Sequence, residues 1–148
     1  METIVVGVDG SGCAGAALEF AIEEAVLRKA RLRIVAAWQV PAAAYGGGFA
    51  PLDDGVFESF RQHAEAVVKE AAEATSSREA ALECETRVEE GQPAAILLEH
   101  AKDATLIVVG KRGLGGFKSL RLGSVSRHVV HHAGCPVVVV RQPLVLSR

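Results

Sequence analysis

Three stretches of this chain are apolar almost without interruption: Thr3–Asp9, Thr105–Gly110 and Val137–Val140. A strand of that kind has no polar face to give to water, so both of its faces must be covered by protein. Between them lie segments of a different period. Ala14, Leu18, Ala21, Ile22, Ala25 and Val26 recur at helical spacing, as do Phe57, Phe60, Ala64, Val67, Val68 and Ala71. The first of these helices reads as acidic early and basic late, from Glu19 and Glu23 to Arg28 and Lys29. Pro93 suits the first turn of a third helix with the stripe Ala94, Leu97, Leu98 and Ala101, and Ser124–Ala133 reads as a short fourth.

Two further strands complete the pattern. "RLRIVAAW" (Arg31–Trp38) is apolar through its centre. "ALECETRVE" alternates strictly, with Leu82, Cys84, Thr86 and Val88 on one face and Glu83, Glu85, Arg87 and Glu89 on the other, so it belongs at an edge. Strands that alternate with helices predict an α/β fold: an open five-stranded parallel sheet, Rossmann-like, with helices on both faces. The expected strand order is 3-2-1-4-5. It makes strands one and four neighbours, and ligands bind such sheets in the crevice beyond the carboxyl ends at that switch point. With 148 residues, a single domain over 1–148 is expected.

Strand five is the other edge, yet it is apolar on both faces, which exposes it to pairing with another chain. A homodimer joined through Val137–Val140 is the expectation, with the tail "RQPLVLSR" as the alternative cover. The stretch "QVPAAAYGGGFAPLDDG" reads as a long loop. No apolar run approaches the roughly 18 residues of a membrane span, and the start "METIVVGVDG" has neither the basic region nor the cleavage site of a signal peptide. Cys13, Cys84 and Cys135 are widely spaced, without a CxxC, and fit a reducing compartment. These features point to a cytoplasmic protein with no membrane partner. The net charge of −2 gives no basic footprint for nucleic acid.

The cations concentrate in one place, "GKRGLGGFKSLRLGSVS", between the fourth strand and the fourth helix. Glycine permits backbone conformations that turn several N–H groups inward onto an anion, and a helix N-terminus adds unpaired N–H groups and a favourable dipole. Gly123 and Ser124 stand where the helix begins, and Ser124 and Ser126 add hydroxyls. The same residues also fit a plain helix cap and turns, and the loop by itself does not separate the two. There is no GxxxxGK[ST], and "GVDGSG" is not GxGxxG.

Gly110-x2-Gly113-x9-Gly123-Ser124 matches the G-2x-G-9x-G-(S/T) signature of the ATP-binding branch of the universal stress protein family, and "IVVGVDGS" and "CPVVVV" resemble its other hallmarks. The resemblance implies an adenine-nucleotide site built from Val8, Asp9, Gly10, Ser11, Ala37, Val109, Gly110, Arg112, Gly113, Gly123, Ser124, Val125 and Ser126. Within it, Asp9 holds the ribose or a phosphate-bound magnesium. The Ala37 backbone reads the adenine edge, Val109 and Gly110 lie beneath the sugar, and Gly113 and Gly123–Ser126 cradle phosphates. The implied ligand is ATP, AMP or ADP, with magnesium. Lys111 departs from the small polar residue common there, and the usual Asp directly before strand four is absent. Lys111, Arg112, Lys118 and Arg121 read either as a strengthened anion field or as solvated loop cations.

No hydrolytic centre stands out, since Asp9 is the only obvious base near the phosphate loop. The expected role is a nucleotide-dependent regulatory switch in the stress response, at most a weak ATPase. A nucleotide-free interaction module of the same fold and a cyclic AMP binder are the alternatives. "HVVHH" (His128–His132) raises zinc chemistry, but a third ligand and an activating carboxylate are missing. His63 and His100 read as ordinary surface-helix residues.

Overall fold

The computed structural model describes residues 1–40, 54–112 and 122–142. Its element order is β1 (Thr3–Gly7), α1 (Gly12–Arg28), β2 (Arg31–Trp38), α2 (Asp54–Arg78), β3 (Cys84–Glu90), α3 (Pro93–His100), β4 (Leu106–Gly110), α4 (Ser124–His132) and β5 (Val137–Val140). The five strands form one parallel sheet in the order β3-β2-β1-β4-β5. The doubly apolar strands and the expected order are therefore realised. Most of the predicted loop before α2, Gly113 with the neighbouring Lys118 and Arg121, and most of the C-terminal tail lie outside the described residues.

Strand pleating divides the core in two. Ile4, Val6, Leu32, Ile34, Leu106 and Val108 face α1 and α2, where Ala17, Ala21, Ile22, Ala64 and Val68 cover them. Val5, Val35, Ile107 and Val109 face the other way, onto Ala94, Leu97 and Val129 of α3 and α4. Successive crossovers keep one hand, so reversing the direction of travel after β3 puts α3 and α4 on the opposite face from α1 and α2. Fully burying a Val, Leu or Ile side chain contributes about 1.5–3 kcal/mol. The central strands β1 and β4 thus carry much of the stability per residue. Edge strand β3 keeps Arg87 and Glu89 exposed and Cys84 and Val88 half-buried, as its alternation predicts, but Thr86 of the apolar face is exposed and Glu85 is half-buried beside Arg33.

Several boundaries and local readings differ from those expected. β1 ends at Gly7 rather than Asp9, although the Val8 N–H still donates to the Val35 carbonyl at 2.9 Å. α1 has no acidic residue in its first turn; its glutamates are mid-helix, and the start is capped by Ser11, whose hydroxyl oxygen accepts from the Ala14 N–H at 3.2 Å. α2 runs past Ala71 to Arg78, because buried Thr75 satisfies its own hydroxyl on the Ala71 carbonyl at 2.8 Å and so does not break the stripe. His100 is half-buried, not a free surface residue, and its Nε2 lies 3.1 Å from Glu89 Oε2 without hydrogen-bond geometry.

One buried charge locks the α3 side of the sheet. Arg33, in the middle of β2, is 8% exposed. Its Nε donates to Glu85 Oε1 at 2.7 Å, and Nη1 donates to the His100 carbonyl at 2.6 Å and to Asp103 Oδ1 at 2.8 Å. A cation thereby satisfies the C-terminal end of α3 and ties it to β2 and β3. The hydrogen bond from Arg33 holds the Asp103 carboxyl below its usual range. Burial pulls the Glu85 carboxyl upward, but the Arg33 hydrogen bond and the Arg33, Arg87 and Arg31 charges outweigh it and leave it lowered.

Carboxyls lowered on folding add stability that is present above their unfolded values, about 4, and is lost as pH falls through the folded ones. Asp103 is largely exposed, so solvent screening limits the expected cost of Asp103→Asn to about 0.5–1.5 kcal/mol at pH 7. Denaturant unfolding should show that difference shrinking as pH falls below about 4 and through the lowered folded value; equal stabilities at pH 7 would contradict the lock. A second expectation concerns Gly110, where an added Cβ would sit 2.7 Å from the Cys13 carbonyl carbon and 2.9 Å from its oxygen. Those are backbone atoms of α1 and cannot swing aside. Gly110→Ala should cost about 1–3 kcal/mol, and a loss too small to resolve by denaturant unfolding would mean α1 shifts freely.

Candidate functional site

The carboxyl ends of β1 and β4 open onto a cleft of about 550 Å³. Its floor comes from the strand ends themselves: Gly7 and Val8, Val35 to Ala37, and Val109 with Gly110. On the β2 side the walls are mainly apolar, with Trp38, Phe60, Ala64 and Val67, and the polar groups there are Gln39 and His63. On the β4 side the character changes to Arg112 and the first turn of α4, Gly123 to Ser126. Asp9, at the end of the central strand, stands between the two.

Local chemistry explains why the chain takes this shape. Asp9 accepts the Ser11 N–H at 2.9 Å, closing a tight turn, and Gly10 within it has φ +87°, a conformation that glycine adopts without strain. After β4 the peptide of Lys111 acts as a knot. Its N–H donates to the Val140 carbonyl at 2.8 Å, and its carbonyl accepts the Gly123 N–H at 2.8 Å and the Ser126 hydroxyl at 2.9 Å. The chain therefore leaves the sheet at Arg112 and returns at Gly123 with the two ends fastened together. Ser126 is 2% exposed, and its hydroxyl also reaches the Gly123 carbonyl at 3.1 Å.

The start of α4 differs from those of α1 and α3. Ser11 and Gln92 cap those two with side-chain oxygens, whereas Gly123 caps α4 with no side-chain bond. The N–H groups of Ser124, Val125 and Ser126 have no acceptor within the helix, and they meet the positive end of its dipole. An anion placed at this corner of the cleft would find both. Among the described residues no group of three or more His, Cys, Asp or Glu is arranged to hold a metal. A cation here would depend on Asp9 together with oxygens that a ligand brings with it.

The cleft gathers Val8, Asp9, Ser11, Ala37, Val109, Gly110, Arg112, Gly123, Ser124, Val125 and Ser126 from the residues the sequence singled out. Gly10 shapes the turn without lining the cleft, and Gly113 lies outside the described residues. Two of the expected phosphate donors, the Gly123 N–H and the Ser126 hydroxyl, are spent inside the fold on Lys111. Sequence reasoning missed Phe60, His63 and Val67 as wall residues. Their positions i, i+3 and i+7 share one face of α2, but the sequence does not say that this face overhangs the strand ends.

Comparison with known proteins agrees with this architecture. The family model "Universal stress protein family" matches residues 1–141. A universal stress protein of Thermus aquaticus is 40% identical over 143 residues, covering 95% of this chain and 98% of the relative. The universal stress protein Rv2624c of Mycobacterium tuberculosis is 33% identical over 95% of this chain, which spans only 48% of that relative; the chain is thus about half the length of the curated mycobacterial relatives it matches. Among solved structures, a universal stress protein in complex with cAMP has a TM-score of 0.68 at 28% identity, over 96% of this chain and 98% of that one. The universal stress protein from Archaeoglobus fulgidus in complex with dAMP has a TM-score of 0.67 at 29% identity, over 95% and 98%. From its strand order to the span of the matching family model, the chain belongs to the universal stress protein family.

Proposed function

We propose that this chain is an adenine-nucleotide-binding regulatory protein, with ATP as its ligand and hydrolysis slow or absent. The observation that carries the reading is the order of chemistry along the cleft. An apolar wall on the β2 side suits a purine, Asp9 at the centre suits a ribose hydroxyl, and the uncapped start of α4 with Arg112 suits phosphates. The solved relatives named with cAMP and dAMP support adenine as the base. Here the Ala37 backbone would meet the base, Val109 and Gly110 the sugar, and the amides of Ser124 to Ser126 the phosphates.

Magnesium fits this donor set only as a companion of the phosphates, with Asp9 as its protein ligand; when bound it would neutralise phosphate charge. Asp9 already accepts the Ser11 N–H, which fixes the carboxylate for either task. Asp9 is the one carboxylate that lines the cleft among the described residues. Binding without rapid turnover is what a switch requires. Cyclic AMP is a second reading, favoured by the relative in complex with it.

The proposal extends to a cytoplasmic homodimer through β5, whose four valines are each half-buried. The Pro136 and Val140 carbonyls point to β4; by alternation Val137 and Val139 turn their main-chain groups to the open edge.

Mass spectrometry of nucleotide released from the purified chain is expected to find an adenine nucleotide. Calorimetry should then rank ATP, AMP and cAMP, and flat titrations with all three would remove the reading. Asp9→Ala is expected to weaken ATP about tenfold or more, the scale of one charge-assisted hydrogen bond. Trp38, half-buried in the wall, should change its fluorescence on binding, and Trp38→Phe should remove the signal while calorimetric binding persists. For the dimer, Val139→Pro takes away an outward N–H that β4 does not use. Sedimentation should shift that variant to monomer with the fold retained; an unaltered dimer would place the interface elsewhere.

A further inference from the structure

His128 and His132 are four residues apart on α4 and therefore share a face. Their ring centroids are 4.5 Å apart, with planes tilted by 41°, and both residues are exposed. His131 stands aside: its ring is 6.5 Å from that of His132 in an edge arrangement. Apart from these ring contacts, the described residues offer the three imidazoles no hydrogen bond or ion pair. A neutral imidazole carries one nitrogen lone pair able to bind a metal. His132 also lies in the last turn of the helix, where the backbone carbonyls and the dipole favour positive charge.

We propose that His128 and His132 form a bidentate, exchangeable site for a late first-row divalent metal ion. Imidazole nitrogens suit copper(II), nickel(II) and zinc(II), and two nitrogens with open positions favour copper most. Since no cluster of three or more ligating residues exists among the described residues, water completes the coordination. That separates the site from a structural zinc centre, which is closed by four protein ligands. The site is also separate from the cleft, whose lining includes neither histidine: along the helix axis Ser124 is about 6 Å from His128 and about 12 Å from His132. Arg127 is the nearest cation in sequence, but it projects about 100° around the helix from His128. Metal binding here therefore requires neither an occupied cleft nor a dimer.

The full chain, free of any polyhistidine tag and stripped of metal, should be titrated separately with copper(II), nickel(II) and zinc(II) chloride. One site is expected, tightest for copper, with a paramagnetic resonance spectrum showing two equivalent nitrogens. Removing one arm of a chelate forfeits its effective concentration, so His128→Ala and His132→Ala should each weaken copper by about tenfold or more. His131→Ala should change affinity by less than about threefold on the same grounds. Circular dichroism of each variant, and a rise in melting temperature on adding copper that the parent and His131→Ala share and that is reduced in His128→Ala and His132→Ala, keep loss of fold apart from loss of ligand. Copper binding that survives in the double variant, or that falls equally in His131→Ala, overturns the assignment. So does the absence of binding by the parent.

Discussion

β1 pairs with β2 on one side and β4 on the other, all parallel, and that arrangement decides where anything can bind. The chain winds outward from β1 through β2 to β3, then crosses back over the opposite face to lay β4 against the free side of β1. With crossovers of one hand, α1 and α4 diverge from the same point of the sheet. Among the described residues no connecting segment crosses the gap between them. Gly110 then sets how narrow that gap is. Without a Cβ, the end of β4 approaches the backbone of Cys13 closely enough to hold the start of α1 against it.

The Lys111 peptide connects this crevice to the outer edge of the sheet. The Lys111 N–H joins β5, while the Lys111 carbonyl joins the start of α4 through Gly123 and Ser126. Displacing the first turn of α4 would strain the same carbonyl, and so the last residue of β5. A ligand at the helix start and a partner strand at the open edge would both bear on Lys111, through the two peptide groups that flank its Cα. Coupling between two sites needs a connection that both can bias, and here it is two hydrogen bonds long.

What the sequence made legible follows from what each residue does. Continuous apolarity showed that β1 and β4 are covered on both faces, whereas β5, equally apolar, is only half-buried at its edge, and alternation in β3 showed that strand to be an edge too. The Gly110, Gly113, Gly123 spacing pointed to a site only through its resemblance to a family signature, and of the three Gly110 and Gly123 line the cleft among the described residues. Arg33 was not legible as a lock, since its partners Glu85 and Asp103 come from distant parts of the chain. Ser126 looked like a ligand donor by its position in the first turn, yet its burial commits the hydroxyl to Lys111. His63 looked like an ordinary surface residue because periodicity identifies the face of α2 but not what that face overlooks. In each case the missing information was a long-range contact, which a local pattern does not encode.

The start of α4 brings stability and proposed function into opposition. A side-chain cap at Gly123 of the kind seen at Ser11 or Gln92 would stabilise a short helix by roughly 1 kcal/mol, and α4 is only nine residues long. A Ser or Asp there would also put its own oxygen onto the very amides that an anion would use. Glycine leaves those donors open at a cost, and Ser126 offsets part of it by bonding backward to the Lys111 and Gly123 carbonyls. Those bonds hold the helix start from inside, where they do not compete for the cleft. The corner is therefore kept in shape by groups that face the core, and the first-turn amides of Ser124 to Ser126 are left without a side-chain cap. That division is what a preorganised anion site requires.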